Sequence, residues 1–397
     1  MQLKGEQKRV WAEIDLDAVE WNFNVVKNFA AKNSKICCVV KANGYGHGAV
    51  TLAKFYEKLG ADCFAVSNIE EALQLREAGI KFPILVLGYT PVECAALLSR
   101  YDISQCVYSL AYGELLAQEA KKAGVKIKVH IKIDTGMGRL GFSCRGEQEK
   151  ELEDAYAVCR FSEFETEGIF THFAVSDEGE KGKTFTRQQG EDFCRAIQFL
   201  KEKGVRFSLV HCANSAAIFD YPELQMDMVR AGIILYGIAP SYEVGIQEML
   251  RPVMTLKAVI SSVKTLKKGE SVSYGRTFIA DKEMRIATIP IGYADGFWRS
   301  NSSVGAKVFF RGRLLTILGR ICMDQLMIDL QDLQDVQIGE EVVIFGAEKG
   351  AMTVEEIAQR NSTISYEILC ALGERVPRVY TYQGKIVSIL DNIFNKG

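Results

Sequence analysis

Proline is scarce in this 397-residue chain, at 7 residues, and no low-complexity tract interrupts it. Long disordered linkers are therefore excluded. No apolar run approaches the length needed to span a bilayer, which rules out an integral helical membrane protein. Charge of one sign is also missing: 48 Lys+Arg stand against 50 Asp+Glu, for a net charge of −2 and a pI near 6.2. That balance removes the basic footprint of a general nucleic-acid binder. The opening, Met1-Gln2-Leu3-Lys4-Gly5-Glu6, lacks a basic-then-apolar leader, so a cytoplasmic protein is expected.

Cysteine is plentiful, at 11 residues, but the number is odd and no CxxC pair occurs. Cys37, Cys38, Cys63 and Cys370 sit within apolar runs. Reduced core thiols are the expectation, and the paired spacing of a zinc site is absent. Hydrophobic residues at 48% and charged residues at 25% are ordinary for a globular chain with a substantial core.

From about residue 12 to 244 the chain alternates two textures. Short β-branched runs at 35–41, 62–66, 83–88, 104–108, 126–134, 166–173, 206–211 and 225–230 read as buried strands. Between them lie stretches of helical period, such as 48–59, 69–79, 110–123, 145–158 and 186–203, several stopped by glycine. Eight such units predict a parallel (β/α)₈ barrel; an open doubly wound sheet would want a G-x-G-x-x-G turn after its first strand, and none is present. Beyond Pro240 strand-like runs crowd together at 252–264, 285–291, 306–318, 325–330, 340–345 and 378–391. Helical pattern is confined to 353–360 and 366–375. Residues 245–397 therefore read as a second, mostly β domain, which residues 1–11 are candidates to join.

In such a barrel, reactive side chains gather where the strands end. Lys41 closes the first strand and enters Ala42-Asn43-Gly44-Tyr45-Gly46-His47-Gly48. Arg139 follows the fifth strand, His172 ends the sixth, His211 the seventh and Arg230 the eighth. Asn214-Ser215 follow His211 at a helix start, and Ala231-Gly232-Ile233 follow Arg230. Singly, each has an ordinary explanation: a solvated lysine, a core histidine, an ion-paired arginine. Their common placement on one rim does not come from packing alone. Lys41 also follows the apolar run Cys37-Cys38-Val39-Val40, where desolvation favours a neutral, nucleophilic amine.

The segment Val40–Gly48 resembles the pyridoxal-phosphate attachment segment of alanine racemases. The resemblance runs from Ala12-Glu13-Ile14-Asp15-Leu16 to Val376-Pro377-Arg378-Val379 and rests on six ordered motifs. It implies the barrel fold above, pyridoxal 5'-phosphate as cofactor, and residue roles that follow from position. Lys41 would hold the cofactor covalently and act as one acid/base. Tyr274, in Ser271-Val272-Ser273-Tyr274-Gly275-Arg276, would be the second. His172 matches a histidine that contacts that tyrosine, and Arg230 the arginine facing the pyridine nitrogen. Tyr45, Ser215, Gly232, Ile233 and Tyr366 match the phosphate-binding set. Arg139 matches the arginine near the cofactor phenolate and the substrate carboxylate. Met323 and Asp324 match a substrate-proximal pair, and Lys132 a lysine that some members carbamylate. The role of Cys322, next to Met323, is left open by the resemblance.

These roles are chemically coherent. Racemisation removes a Cα proton from one face and returns one to the other, which two opposed bases do without a moving group. An arginine at the ring nitrogen keeps its proton and weakens the ring as an electron sink. That argues against a decarboxylase, which gains from a carboxylate there. A bulky Tyr366 favours alanine over serine, and Tyr274 with the long C-terminal region argues against a non-catalytic cofactor carrier. The resemblance further implies a head-to-tail homodimer with composite sites, no metal, and D-alanine supply for peptidoglycan.

Overall fold

The computed structural model describes residues 9–145, 149–391 and 393. By contacts the chain divides into two units: one of Trp21–Gly44 and Ala49–Leu250, the other of the residues up to Glu20, Tyr45–Gly48 and those from Arg251 onward.

The first strand, β1 (Val10–Asp15), belongs to the second of these units. The first unit is built on β2 (Lys35–Val39), β3 (Cys63–Val66), β4 (Ile84–Val86), β5 (Ile103–Val107), β6 (Ile127–Asp134), β7 (Phe142–Ser143), β8 (Phe164–Phe170), β9 (Leu209–His211) and β10 (Met228–Ala231). Eight of these pair in parallel in the order β10-β2-β3-β4-β5-β6-β8-β9, with β7 a short addition to β6. Between β9 and β10 the ring is drawn together by Asp227 N donating to Val210 O and Arg230 N donating to Ala213 O, both at 3.0 Å. The result is a nearly closed eight-stranded parallel barrel.

Local sequence explains the helices between these strands. Helix Leu110–Ala123 starts at Ser109, whose side chain accepts from Tyr112 N, and stops at Gly124 in the left-handed conformation (φ 66°). Helix Gly179–Glu202 starts earlier than its apolar period suggests, and within its first turn Gly182 packs so closely on Val175 O that no Cβ fits there. The helices Leu16–Phe29 and Ala95–Arg100 fall outside the helical stretches named from the sequence.

Along β6, Ile127, Val129, Ile131 and Ile133 are wholly buried, while the alternate set Lys128, His130 and Lys132 faces the other side of the strand. A register shift between Val129 and His130 marks a bulge against β8.

In the second unit, β1 pairs antiparallel with β11 (Met254–Val259) and parallel with β20 (Arg378–Tyr382). With β16 (Lys307–Phe310), β17 (Arg313–Thr316), β19 (Glu341–Phe345) and β21 (Lys385–Leu390) they form a seven-stranded sheet ordered β17-β16-β19-β11-β1-β20-β21. A three-stranded sheet of β12 (Ser262–Leu266), β15 (Met284–Ile289) and β18 (Leu326–Asp329) stands apart. It packs around Leu266, Val272, Ala280, Ile286 and Leu318. The pair β13 (Ser271–Val272) and β14 (Phe278–Ile279) completes this mainly β unit. Of the first eleven residues, 1–8 lie outside the described residues, whereas Val10 and Trp11 are in β1.

The 11 cysteines form no disulfides with one another. Cys37, Cys38 and Cys63 are buried, but Cys370 is exposed, because it ends the short helix Ser365–Cys370 whose Ile368 and Leu369 take the inward face.

Candidate functional site

In the first unit the polar residues singled out above lie at the carboxyl-terminal parts of neighbouring strands: Lys41, Arg139 and His172 just beyond β2, β6 and β8, His211 at the end of β9 and Arg230 within β10. Lys41 lies two residues beyond β2 and opens a left-handed turn: φ is 52° at Ala42, 53° at Asn43, 61° at Gly44 and 50° at Tyr45. Successive left-handed non-glycine residues are strained and persist only where neighbours impose them. Here Gly44 N donates to Val40 O at 2.8 Å, Ala42 N to Glu71 Oε1 at 2.7 Å, and Ala49 N to Asn43 Oδ1 at 3.0 Å.

The loop after β6 carries Arg139, which is exposed. Asp134 Oδ1 folds that loop by accepting from Gly136 N and Gly138 N. Thr135 Oγ1 and Thr171 Oγ1 share a buried hydrogen bond of 2.8 Å, and Gln189 bonds Thr135 Oγ1, His172 O and Ala174 N. This fixes the segment that presents His172. After β9, the buried Ser215 accepts from Gly232 N at 2.9 Å, joining the turns that follow β9 and β10. Ile233 then starts a buried 3₁₀ turn, Ile233–Tyr236, and Tyr236 OH donates to Val39 O at the end of β2.

Arg230 is the best-determined group. Its Nη1 meets His211 Nδ1 at 2.9 Å; its Nη2 donates to Thr171 O and Cys212 O and meets His172 Nδ1 at 3.2 Å. Arginine retains its protons, so both imidazole Nδ1 atoms accept and both rings are neutral in the Nε2–H tautomer. The electrostatics agree: burial, and after it Arg230, hold both histidines well below their usual pKa. Lys132, Arg139 and Lys41 add to the effect on His172, so four cations act on this one side chain. Nε of Arg230 makes no hydrogen bond among the described residues and remains available to an acceptor.

Lys132 is buried, and its Nζ has no hydrogen-bond partner among the described residues; it lies 4.7 Å from the Phe170 ring centre. Burial, then Arg230, lowers its pKa to about 7. The unfolded lysine titrates near about 10.4, so between these values the unfolded chain binds more protons and stability rises with pH. Below pH 7 the cost of burying the charge is present in full; toward pH 10 it fades. We expect Lys132→Met to exceed the unsubstituted protein in unfolding free energy by a few kcal/mol at neutral pH, and by little near pH 10. Denaturant titrations across that range in carbonate-free buffer check this; a difference independent of pH would contradict it.

The second unit carries the remaining candidates. Tyr45 and Tyr366 face each other with ring centres 5.8 Å apart. The loop Tyr45–Gly48 is held by β20: Arg378 Nε donates to Gly46 O and Tyr380 OH to His47 O, both at 2.8 Å. Gly46 leaves no room for a Cβ, which would stand 2.3 Å from Leu369 O. Tyr274 is 67% exposed and shares a recess with Ser273, Cys322, Met323, Asp324 and Gln325. The left-handed Ser273 (φ 66°) is pinned by its hydroxyl on Arg320 O, and Gly292 lets the backbone of Cys322 and Met323 lie against it. Asp324 Oδ1 accepts from Arg375 Nη2 at 2.8 Å. Cys322 Sγ lies 3.4 Å from Ser273 Oγ, a packing position within the recess.

The structure thus gathers Lys132, His172 and Arg230 in one unit, with Lys41 and Arg139 acting on them. It gathers Tyr274, Met323 and Asp324 in a recess of the other. The cationic barrel mouth and the uncommitted Nε–H of Arg230 fit an anionic ligand with a neutral ring acceptor, as pyridoxal 5'-phosphate would be.

Sequence reasoning overlooked His130 and Glu167. His130 Nδ1 stands 3.0 Å from His211 Nε2, and Glu167 Oε2 lies 3.7 Å beyond His130 Nε2. The available signal was polar residues at every second position (Lys128, His130, Lys132) inside an apolar strand. Gly168 makes room for His130: a Cβ there would stand 2.4 Å from its Nδ1 and 2.9 Å from Leu209 O. Gly168→Ala is expected to destabilise the fold by about 2–3 kcal/mol, measurable by denaturant unfolding; an unchanged midpoint would show that the ring can yield.

Comparison with known proteins accords with this arrangement. Residues 14–240 match the alanine racemase N-terminal domain and residues 253–380 the alanine racemase C-terminal domain. The chain is 44% identical to an alanine racemase of Clostridium tetani over 382 residues, covering 96% of this chain and 97% of the relative. It is 44% identical to that of Desulforamulus reducens, covering 94% and 98%. Among solved structures, alanine racemase of Clostridium difficile superposes with a TM-score of 0.92 at 40% identity, covering 98% and 100%. The Bacillus anthracis enzyme with bound L-Ala-P gives 0.91 at 34% identity, covering 99% and 100%. Two domain matches in sequence order, nearly full-length identity and a shared fold establish that the chain belongs to the alanine racemase family.

Proposed function

We propose that the chain interconverts L-alanine and D-alanine by a two-base reaction with pyridoxal 5'-phosphate, supplying D-alanine for peptidoglycan in the cytoplasm. The observation that supports it most directly is the cationic mouth of the barrel, where Lys41, Lys132, Arg139 and Arg230 all act on a neutral His172. Such a site binds phosphate, phenolate and carboxylate together.

In this reading residues 12–244, with Tyr366, hold the cofactor. The Lys41 amine attaches it; Tyr45, Ser215, Gly232, Ile233 and Tyr366 bind its phosphate. Arg139 orients phenolate and substrate carboxylate, with Lys132 or its carbamate steering Arg139. Bound there, the cofactor supplies the electron sink that acidifies the substrate Cα. Arg230 donates from Nε to the ring nitrogen and gives no proton up. Lys41 Nζ then takes or returns the Cα proton on one face. The phenol that serves the opposite face is Tyr274 of the partner subunit, in a head-to-tail homodimer. Residues 245–397 bring it there with Met323 and Asp324, and His172 tunes it.

The test is incubation of the loaded protein with L-alanine in D₂O, following D-alanine and Cα deuterium by NMR, with mass in solution measured alongside. Appearance of D-alanine labelled at Cα from a dimer is expected. Carbon dioxide release, retention of configuration, or full activity in a monomer would each overturn part of the reading. Faster turnover of serine would overturn the assignment of alanine, which rests on Tyr366.

A further inference from the structure

Below Arg230 a polar column, buried at both histidines and part-exposed at Glu167, runs down the barrel interior, and the proton chemistry proposed above gives it no task. Interiors of such barrels are normally filled by branched aliphatic side chains. Here the sequence of contacts is Arg230 Nη1 to His211 Nδ1 (2.9 Å), His211 Nε2 to His130 Nδ1 (3.0 Å), and His130 Nε2 toward Glu167 Oε2 (3.7 Å). Glu167 is fastened in turn by Ser104 Oγ, which donates to Oε2 at 2.6 Å, with Lys128 Nζ 3.8 Å from Oε1. Lys128 pairs with Asp102 at 2.8 Å. Phe170 stacks on His211 at 4.8 Å and closes one side.

The direction of every proton follows from the two ends. Arg230 can only donate, so His211 Nδ1 accepts and its proton sits on Nε2. That proton points at His130, whose Nδ1 must accept, leaving the His130 proton on Nε2 facing the Glu167 carboxylate. Reversing either ring would set two N–H groups against each other in a buried space, a penalty that the surroundings cannot screen. Two local devices serve this geometry alone: the bulge at Val129/His130 and the absent side chain at Gly168, without which the ring would have no place.

We propose that Glu167 is a positioning residue for Arg230, acting through His130 and His211. Its carboxylate accepts, at the far end, the proton that Arg230 directs down the column, so that both ends favour the same tautomers; this keeps both Nη atoms of Arg230 committed and leaves Nε–H as the donor for the cofactor ring. This rests on the proposed function only in naming the cofactor; the tautomers are a property of the chain.

The experiment uses the full-length, cofactor-loaded protein labelled with ¹⁵N in histidine. With 4 histidines in the chain, long-range ¹H–¹⁵N spectra resolve each ring. His130 and His211 are expected as neutral Nε2–H tautomers. In Glu167→Gln the single-tautomer pattern of both rings is lost, the visible absorption of the bound cofactor shifts, and kcat falls about tenfold in both directions with KM little changed. Glu167→Asp, which keeps the carboxylate, recovers part of each. Asp102→Asn breaks an ion pair at the same end of the barrel and leaves the tautomers as they were. A proton on Nδ1 of either ring in the unsubstituted protein overturns the proposal even if Glu167→Gln does not fold. So does a folded Glu167→Gln with unchanged tautomers and absorption. An unsubstituted protein with the expected tautomers but no racemisation would sink the functional reading and not the column.

Discussion

Replacing Lys41 with alanine is expected to abolish covalent cofactor retention and to lower racemisation by about 10⁴-fold or more in both directions. Two roles are removed together. In the proposed reading the amine is the attachment point, placed by the end of β2 and the left-handed turn that follows Lys41. In that reading it is also the base for one face of the substrate, so neither direction should survive its loss. The turn itself should survive the substitution: Lys41 is half-buried, and the main-chain and Glu71 contacts that hold its backbone do not use the lysine side chain. Borohydride reduction followed by peptide mapping checks the attachment, and the labelled peptide from the unsubstituted protein should contain Lys41. Label on any other lysine, or racemisation by Lys41→Ala within tenfold of the unsubstituted rate, would refute the assignment.

The barrel was legible because its strands are short β-branched runs buried on both faces and several helices end at glycine. The strand-end residues were legible for the same reason, since locating a strand in a parallel barrel locates its reactive end. The membership of β1 was harder to read. Val10–Asp15 looks like any half-buried strand, and only its ladders to β11 and β20, across some 240 and 360 residues of sequence, place it in the second unit. Helix Leu16–Phe29 was missed because it follows that strand with no breaker between them. The column beneath Arg230 depends on a one-residue bulge and a missing Cβ. Neither has a periodic signature, and a one-residue slip in register reverses which side chains face inward. Pairing of Tyr45 with Tyr366 is likewise a tertiary fact, invisible to any local window.

Tyr274→Phe separates the two faces of the reaction. The substitution removes one hydroxyl from a side chain that is 67% exposed in the chain, so folding and cofactor retention should be unaffected. Losing a positioned acid/base group typically costs about 10²–10⁴-fold, and racemisation should fall by that order. The fall must be the same in both directions as kcat/KM, because the two enantiomers are equal in free energy and no substitution alters their equilibrium. Asymmetry appears instead in exchange without inversion. With Lys41 intact, D-alanine should still trade its Cα proton for solvent deuterium, while L-alanine, whose proton the proposed mechanism assigns to the Tyr274 phenol, should not. NMR of each enantiomer in D₂O, stopped before racemisation has progressed, reads this directly. Rapid deuterium entry into L-alanine would assign its proton to another group, and equal, near-normal exchange of both enantiomers would leave Tyr274 without a part in proton transfer. Mixing inactive Lys41→Ala with inactive Tyr274→Phe adds an independent check. A composite site that draws Tyr274 from one chain and Lys41 from the other regains activity at about one site in four when subunits reassort at random, whereas a site complete within one chain regains none, since no single chain in the mixture carries both residues.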